Sequence, residues 1–456
     1  MNAIVILPAM LAVWVAFDKG PYRALVLVYL PVLFLLPEYY RFNAPGLPDP
    51  TFGEAAAIAV GLAYLARGAP GWRFSLCDIL VFSFAAGVFY SEFRAAGYKE
   101  AQNLLFDMLG WVVFPYILGK GLIEPNGQRV EVAKRIVWLT ALVSVLAVYE
   151  FLMGMNQYRL VFDPFFPGQG RGWVTTFRWG FARVAGPYGH AILAGLILVC
   201  VYRLQRWLQW EGHWPRRIPR LEWLPLSMGA VMTLVVLGGV VMSMVRGPWI
   251  GGFLAAAVIL VGRSKQRVLT LAVGGCLALF VGLPLVISFI NYASVGRENA
   301  KTVAQESAAY RYELIENYVE IASEESLFGW GRNTWPKVPG QPSIDNYYLL
   351  LTLMHGLFAS GLLLLIMVVT MLGLLRKGLS VPADQGLFTF TLLSLYPAIG
   401  FSIATVFLGL NTMPFFFFMT GWAQGYLKWG QPLVGAKAAE VVAEVMPVMR
   451  FRKVLA

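Results

Sequence analysis

The sequence has few charged residues for its length. Aspartate, glutamate, lysine and arginine make up 13% of its 456 residues, whereas an average soluble domain has about 25%. Hydrophobic residues make up 58%, and the mean hydropathy is +0.64. This balance excludes an ordinary soluble globular protein and indicates a chain that is largely embedded in a membrane.

Cysteine and histidine are also scarce, with three residues of each. Cys77, Cys200 and Cys276 lie in or near apolar runs and show no CxxC spacing. We interpret them as packing residues, so the sequence predicts neither a disulfide framework nor a metal site.

Several enzyme motifs are missing as well. The chain contains no Walker-type phosphate loop, no HExxH, no GxSxG and no DxD pair for a metal–nucleotide donor. We therefore expect no metal and no cofactor. Any transfer of a phosphate-linked group is expected to rely on arginines for positive charge.

Long apolar runs recur from end to end of the chain. Runs of about 17–25 apolar residues are long enough to cross the hydrocarbon core of a bilayer, so we predict an all-α, polytopic helical integral membrane protein with about 12–13 transmembrane helices. The first run has no basic region before it and is predicted to be a retained span. The predicted spans are residues 2–17, 21–37, 52–66, 74–90, 104–123, 135–155, 189–207, 224–243, 248–262, 267–290, 346–374, 386–408 and 412–429.

The net charge of +11 is concentrated in alternate short connections between these spans. That distribution follows the positive-inside rule, so it excludes nucleic acid as the reason for the charge. It predicts a single transmembrane domain over residues 1–430 and a cytoplasmic tail over residues 431–456. It also places the long connections 156–188 and 291–345 on the outer side.

The outer loop 156–188 is rich in arginine, although outer loops are normally poor in it. An anionic ligand is the simplest explanation. Arg183 has an interfacial anchor as its alternative interpretation. His190, which follows, is interpreted either as an acid/base group or as a histidine making a local hydrogen bond at a helix start. The arginines of this segment are Arg159, Arg171, Arg178 and Arg183.

The second outer loop, 291–345, is a large polar insert between apolar spans, and we call it the lid. Tyr310, Leu314, Tyr318 and Ile321 recur near helical spacing, which predicts an amphipathic helix over residues 305–323. The sequence FGWGRN predicts a turn after that helix. The prolines that follow keep the chain extended up to the next span.

Three residues stand out as candidates for chemistry on this side. Arg246 lies where two apolar runs meet with almost no loop, so by default it marks a site, with a snorkelling interfacial arginine as the alternative. Arg311 lies on the amphipathic helix, where a solvated face is its alternative. Asp345 precedes an apolar span and is interpreted as a helix N-cap, as a general base at the membrane boundary, or as both.

Together these segments resemble the O-antigen ligase and polymerase superfamily of membrane proteins (Wzy/WaaL-like). The motifs are SMVRGPWIGG, the stretch YRYELIENYVEIASEESLFGWGRN followed by SIDNYYLLLTLMHGLFASG, and FARVAGPYGHAILAG, which together cover roughly residues 180–375. Ligases typically have a histidine where this chain has Asp345, which favours a polymerase or exopolysaccharide branch. The resemblance implies a GT-C-like fold with a large outer loop.

The resemblance also implies a function and roles for individual residues. It implies transfer or polymerisation of polyprenyl-diphosphate-linked oligosaccharide units on the outer face of the bacterial inner membrane, to a glycan or lipid-linked acceptor. Other polysaccharide-assembly proteins are candidate partners. In this reading Asp345, Arg246 and Arg311 are catalytic. The expected substrate-binding residues are Arg183, Arg178, Arg171, Asn346, Trp330 and His190, with Trp173, Trp179 and Trp335 as further sugar-stacking side chains.

Two other classes of function remain open from the residues alone. A transporter or flippase of an anionic or polyprenyl-linked substrate would use similar arginines, although such proteins usually contain internal repeats, and none is evident here. A non-catalytic partner in an envelope assembly would tolerate substitution of the same arginines.

Overall fold

The computed structural model describes residues 2–43, 48–169, 175–218, 226–341, 343–382 and 385–430. The predicted cytoplasmic tail, 431–456, lies outside the described residues.

Each of the thirteen predicted apolar runs forms a helix, and two further helices lie in the predicted outer loops. The first eight helices are α1 (Asn2–Lys19, with a 3-10 first turn), α2 (Pro21–Leu35), α3 (Phe52–Leu65), α4 (Leu76–Ala96), α5 (Tyr98–Leu122), α6 (Arg129–Met153), α7 (Gln157–Phe162) and α8 (Ala191–Trp210). The other seven are α9 (Met228–Met242), α10 (Arg246–Arg263), α11 (Arg267–Ala293), α12 (Val303–Glu324), α13 (Tyr347–Ser380), α14 (Leu387–Ile403) and α15 (Thr412–Trp429).

The prediction of an all-α polytopic membrane protein is confirmed. Seven of the described helices are long and apolar enough to cross a membrane, and four shorter helices are also apolar. The predicted total of about 12–13 spans stays a prediction. Within the described ranges, the sheet structure is a single hairpin of β1 (Phe177–Arg178) and β2 (Phe181–Ala182).

Glycines let three helices approach closely beneath the predicted outer side. A Cβ on Gly251 of α10 would lie 2.6 Å from the carbonyl oxygen of Ala398 in α14. A Cβ on Gly195 of α8 would lie 2.4 Å from a methyl group of Val245, the residue before α10. Small residues at helix interfaces are typical of packing in membranes. The contacts hold the first turn of α10 against both α8 and α14.

Helix α13 is interrupted at Gly356, whose φ is +72°. The turn of the lid that follows α12, at residues 326–331, fills the interruption. Leu357 donates to the carbonyl of Ser326 (2.7 Å), and Trp330 donates to the carbonyl of Leu353 (2.8 Å). Non-helical backbone is tolerated at membrane depth only where protein or water satisfies its polar groups. Here the FGWG turn satisfies them, so the lid and α13 form one folded unit.

Substitution of Gly356 by alanine is expected to destabilise the protein strongly. A Cβ at this position would lie 2.2 Å from the carbonyl oxygen of Leu327, and the positive φ disfavours any L side chain. We expect the free energy of unfolding to fall by roughly 3 kcal/mol or more. Gly361→Ala in the same helix is the matched control, since a Cβ there meets no atom within 4 Å. Thermal unfolding in detergent measures both, and an equal melting temperature would contradict the interrupted helix.

The predicted amphipathic helix is confirmed as α12, which begins at Val303 and ends at Glu324. Thr302 caps it, since its hydroxyl accepts from the backbone N–H of Gln305 (3.1 Å). The apolar face packs on the first turns of α13, where Leu314 and Tyr318 of α12 are buried with apolar residues of α13. This contact fixes the lid against the beginning of α13.

A charged network anchors the lid at Arg332, directly after the FGWG turn. No local sequence pattern predicts this network. The backbone N–H of Arg332 donates to Glu92 (2.9 Å), and its guanidinium reaches the second oxygen of Glu92 and Asp107 (both 3.4 Å). Arg41 donates to the other oxygen of Asp107 (3.0 Å). Glu92 and Asp107 are both buried, so their charges depend on these partners. The lid is thus held to α4 and α5.

Candidate functional site

Arg246 is the first residue of α10, after a tight connection from α9. The connection uses a positive φ of +48° at Met244, and Val245 is the extended residue before the helix. The side chain of Arg246 is exposed, and within the described part of the chain it forms no hydrogen bond or ion pair. A guanidinium without an intramolecular partner keeps all five of its donors for a ligand.

The β1–β2 hairpin carries a second arginine to the same place. Its two-residue turn, Trp179-Gly180, has positive φ at both residues, as a type I′ turn requires. Arg178 on β1 donates to the carbonyl of Met244 (2.6 Å), two residues before Arg246. Burial, and then the charge of Arg246, lower the pKa of Arg178. Two like charges are therefore held close together, which suits an anionic ligand between them.

Arg183 follows the hairpin and is half-buried. Its Nη1 donates to the Thr176 hydroxyl (3.3 Å), while its buried Nε has no hydrogen-bond partner among the described residues. Burial, and then the charge of Arg178, lower the pKa of Arg183. Arg178, Arg183 and Arg246 therefore form a chain of neighbouring charges, which we call the arginine cluster.

A buried carboxylate in α6 fixes the backbone between the hairpin and α8. Glu150 is fully buried and accepts from the backbone N–H groups of Ala185 (3.2 Å) and Gly186 (2.9 Å). Asn156 donates to the carbonyl of Gly186 (3.0 Å). This bracing holds the residues that follow the arginine cluster in one conformation.

His190 is the N-cap of α8. Its Nδ1 accepts from the backbone N–H of Ile192 (3.1 Å), so the neutral ring carries its proton on Nε2. The interpretation of this residue as a helix-start histidine with a local hydrogen bond is confirmed. Burial, and then the charge of Arg183, lower its pKa, whereas Asp345 raises it. His190 is thus a neutral Nε2–H donor between the arginine cluster and Asp345.

The lowered pKa of His190 predicts an acid-sensitive contribution to stability. Because the folded pKa lies below that of the unfolded chain, stability from the neutral ring is complete above about pH 6.5 and is lost as the pH falls below that value. His190→Asn keeps a capping side chain and removes the titration. Between pH 7.5 and 5, we expect the melting temperature of the wild type to fall further than that of the variant. Parallel curves would contradict this assignment.

Asp345 does not cap α13, which corrects one of its two interpretations. The N-cap is Asn346, whose Oδ1 accepts from the backbone N–H groups of Tyr348 (3.0 Å) and Leu349 (3.3 Å). The reason is register, because the helix begins one residue later than a cap at Asp345 requires. Asp345 Oδ1 instead accepts from the Ser343 hydroxyl (2.7 Å). Its carboxylate is half-exposed and retains capacity to accept another proton donor.

Tyr310 of α12 holds this segment in place. Its hydroxyl donates to the carbonyl of Ser343 (2.6 Å), and the Ser343 hydroxyl then donates to Asp345. The sequence identified Tyr310 only as part of the apolar face of a helix. The position of its hydroxyl depends on how the lid folds back, and no local pattern predicts it.

Arg311 is held on its own helix. Its Nη1 donates to the carbonyl (3.1 Å) and the hydroxyl (2.9 Å) of Ser307, one turn earlier. No hydrogen bond or ion pair joins it to Asp345 within the described ranges. The predicted role of Arg311 toward Asp345 or a donor stays a prediction.

The side chains predicted to bind sugar lie in different places in the structure. The indole of Trp330 donates to the carbonyl of Ile321 (3.0 Å), which holds it in the turn of the lid that follows α12. Trp179 lies at the exposed tip of the hairpin, and Trp335 packs on the apolar face of α12. Arg171 and Trp173 lie outside the described residues. Roles for these side chains in sugar binding stay predictions.

The charges converge at one end of the bundle. The charge of Arg246 lowers the pKa of Arg178, and the charge of Arg178 lowers the pKa of Arg183. The charge of Arg183 lowers the pKa of His190, and that of Asp345 raises it. The residues come from the hairpin, from the beginnings of α8 and α10, and from the last part of the lid, directly before α13. Three guanidinium groups therefore follow one another in this series, and His190 lies within electrostatic range of both Arg183 and the Asp345 carboxylate.

Across the ranges that the structure describes, no group of three or more His, Cys, Asp or Glu side chains is placed to hold a metal ion. Arg178, Arg183 and Arg246 supply positive charge at this end of the bundle.

Comparison with known families supplies an independent finding. The family model described as O-antigen ligase matches residues 231–366, from α9 into the first half of α13. The matched region includes Arg246, Arg311 and Asp345, while the hairpin arginines and His190 precede it. No curated protein matches the chain.

Proposed function

We propose a specific reaction for this chain, starting from the match of residues 231–366 to the family model described as O-antigen ligase. We propose that the protein transfers or polymerises oligosaccharide units from a polyprenyl-diphosphate donor to a glycan or lipid-linked acceptor. The reaction takes place at the outer face of the bacterial inner membrane, toward the periplasm. The family match does not separate a ligase from a polymerase, and it does not favour the transporter alternative.

One observation carries this proposal, namely the arginine cluster beside a carboxylate that is not used as a cap. A lipid diphosphate is anionic and lies at the membrane interface, so a catalyst needs fixed positive charge there. Arginine donates to phosphate oxygens in a bidentate manner. Arg178 and Arg246 are held near each other by the bond from Arg178 to the Met244 carbonyl. This spacing supports binding of a diphosphate between them.

The proposed step needs no further reactant. The acceptor hydroxyl oxygen attacks the anomeric carbon of the donor sugar, and Asp345 takes the hydroxyl proton. The bond between that carbon and the diphosphate oxygen breaks, and its electron pair leaves with the lipid diphosphate. The arginine cluster stabilises the charge that develops on the leaving group. The Nε2–H of His190 donates a hydrogen bond to the same group.

Reconstitution tests the proposal. Purified protein in liposomes is supplied with lipid-diphosphate oligosaccharide, and both chain growth and release of lipid diphosphate are measured. We expect both to occur and to persist in EDTA, since arginines supply the charge. Absence of transfer, or transfer that EDTA abolishes and Mg²⁺ restores, would contradict the proposal.

A further inference from the structure

We propose that a groove on the lid, between the turn 296–299 and helix α12, binds the acceptor as a hydroxyl-rich glycan chain and directs its end to Asp345. This inference rests on the proposed function, because it assigns the acceptor to a place distinct from the arginine cluster.

The groove consists of two adjoining cavities. The larger has a volume of about 480 Å³ and is lined by Gly296, Arg297, Glu298, Asn299, Glu306 and Glu313. The smaller has a volume of about 290 Å³ and extends along α12 to Tyr310. Arg297 and Glu306 line both cavities, so the two are continuous. Ligand sites in proteins usually have about 300–1,000 Å³, so the groove is large enough for sugar residues.

Arg297 is a rigid donor in the wall of this groove. Its backbone N–H and its Nε donate to the two carboxylate oxygens of Glu313 (2.9 and 2.6 Å), and its Nη1 donates to the carbonyl of Gly340 (3.2 Å). Its Nη2 has no hydrogen bond to any described residue. A donor that is already oriented loses little side-chain entropy when it binds a ligand hydroxyl.

Glu306 supplies acceptors in the same groove. Its side chain is exposed, and no hydrogen bond or ion pair within the described ranges engages it. Sugar hydroxyls both donate and accept, so a wall with a fixed guanidinium and a free carboxylate matches them. The carboxylates of Glu298 and Glu306 repel a diphosphate, and burying them against a lipid tail is costly. The chemistry therefore favours an uncharged polyhydroxyl chain.

The inner end of the groove leads to the candidate base. Tyr310 lines the smaller cavity, its hydroxyl donates to the carbonyl of Ser343 (2.6 Å), and Ser343 donates to Asp345 (2.7 Å). A glycan in the groove thus ends beside Asp345. None of the residues that line the groove belongs to the arginine cluster, so the sugar-binding and diphosphate-binding parts of the site use different side chains.

Steady-state transfer with the reconstituted full chain tests the groove. The variants are Glu306→Gln and Val303→Trp, the latter because Val303 lines the smaller cavity and is 83% exposed, so that a larger side chain fills space without disturbing the fold. The matched control is Glu320→Gln, an exposed carboxylate on the same helix outside the groove. We expect KM for the acceptor to rise about tenfold in both groove variants, because Glu306→Gln weakens hydrogen bonds to a charged group and Val303→Trp fills the smaller cavity. The kcat and the KM for donor stay at the control values.

A binding measurement separates failure of this inference from failure of the proposed function. The probe is the water-soluble oligosaccharide released by mild acid from the lipid-linked donor, observed by saturation-transfer NMR with Asp345→Asn protein and with no donor present, so that no transfer takes place. We expect the probe to bind this protein and to bind at least tenfold more weakly when Val303→Trp is added. Equal binding, or equal acceptor KM in the groove variants and Glu320→Gln, overturns the groove assignment. If wild-type protein binds the probe but performs no transfer, the proposed function is overturned and the assignment of the groove as a glycan-binding site still holds.

Discussion

Replacing Asp345 with asparagine is expected to reduce glycan transfer by about two to four orders of magnitude, the usual contribution of a general base. Asparagine has the same shape and still accepts from the Ser343 hydroxyl, but it cannot take a proton from the acceptor. The N-cap of α13 is Asn346, so the substitution leaves the helix start intact. Donor binding is therefore expected to be unchanged.

The measurement is single-turnover transfer with donor and acceptor at saturation, alongside the melting temperature. Glu320→Gln on α12 is the control for loss of an exposed carboxylate on the lid. If Asp345→Asn transfers at more than about a tenth of the wild-type rate, the residue is not the base, because general base catalysis is worth far more than tenfold.

Replacing Arg246 with alanine is expected to lower the rate of transfer by about 10²–10³-fold, as removal of one charge-stabilising donor does elsewhere. The side chain is exposed and has no hydrogen bond or ion pair to any described residue, so its loss removes no such contact within the protein. The folded stability is expected to stay the same. Arg246→Lys keeps the charge without the bidentate geometry and is expected to retain intermediate activity.

The same helix offers the control. Arg263 at the other end of α10 lies 4.7 Å from the ring centre of Trp210, away from the arginine cluster. Arg263→Ala removes one positive charge from α10 without touching the proposed site. Equal rates for Arg246→Ala and Arg263→Ala would show that Arg246 is an interfacial anchor, the alternative that its sequence context left open.

The apolar helices were predictable because hydrophobic run length is a strong signal in a membrane protein. The prediction of α12 also succeeded, since Leu314 and Tyr318 lie at helical spacing and become buried together. Its bounds differ from the expected 305–323 by two residues at one end and one at the other. Both features depend on local periodicity, which is the part of the fold that a single sequence encodes most directly.

The interrupted helix was not predictable. Gly356 lies in an apolar run that reads as continuous, and glycine is common inside membrane helices. The interruption exists because the backbone of the lid, at Ser326 and Leu327, occupies the space and bonds to α13. Because the lid residues that bond to α13 lie about thirty residues earlier in the chain, the local hydrophobic pattern does not indicate them.

The site was predictable in part. The prediction identified the unusual arginines of the hairpin and the helix junction, because charge at such positions is expensive. It interpreted Asp345 as the cap, whereas the cap is Asn346, and the local sequence does not separate them because both residue types are favoured there. It also missed Glu150, which lies within an apolar run and is committed to backbone N–H groups of the segment after the hairpin.

Sidedness is the most direct test of the central claim that one site, at the end of the bundle with Arg246 and Asp345, performs transfer. Sealed proteoliposomes with uniformly oriented protein receive lipid-diphosphate donor in one leaflet only, and chain growth is measured. Growth is expected only when the donor is in the leaflet at the beginnings of α10 and α13. Growth from the opposite leaflet at the same rate would contradict the claim.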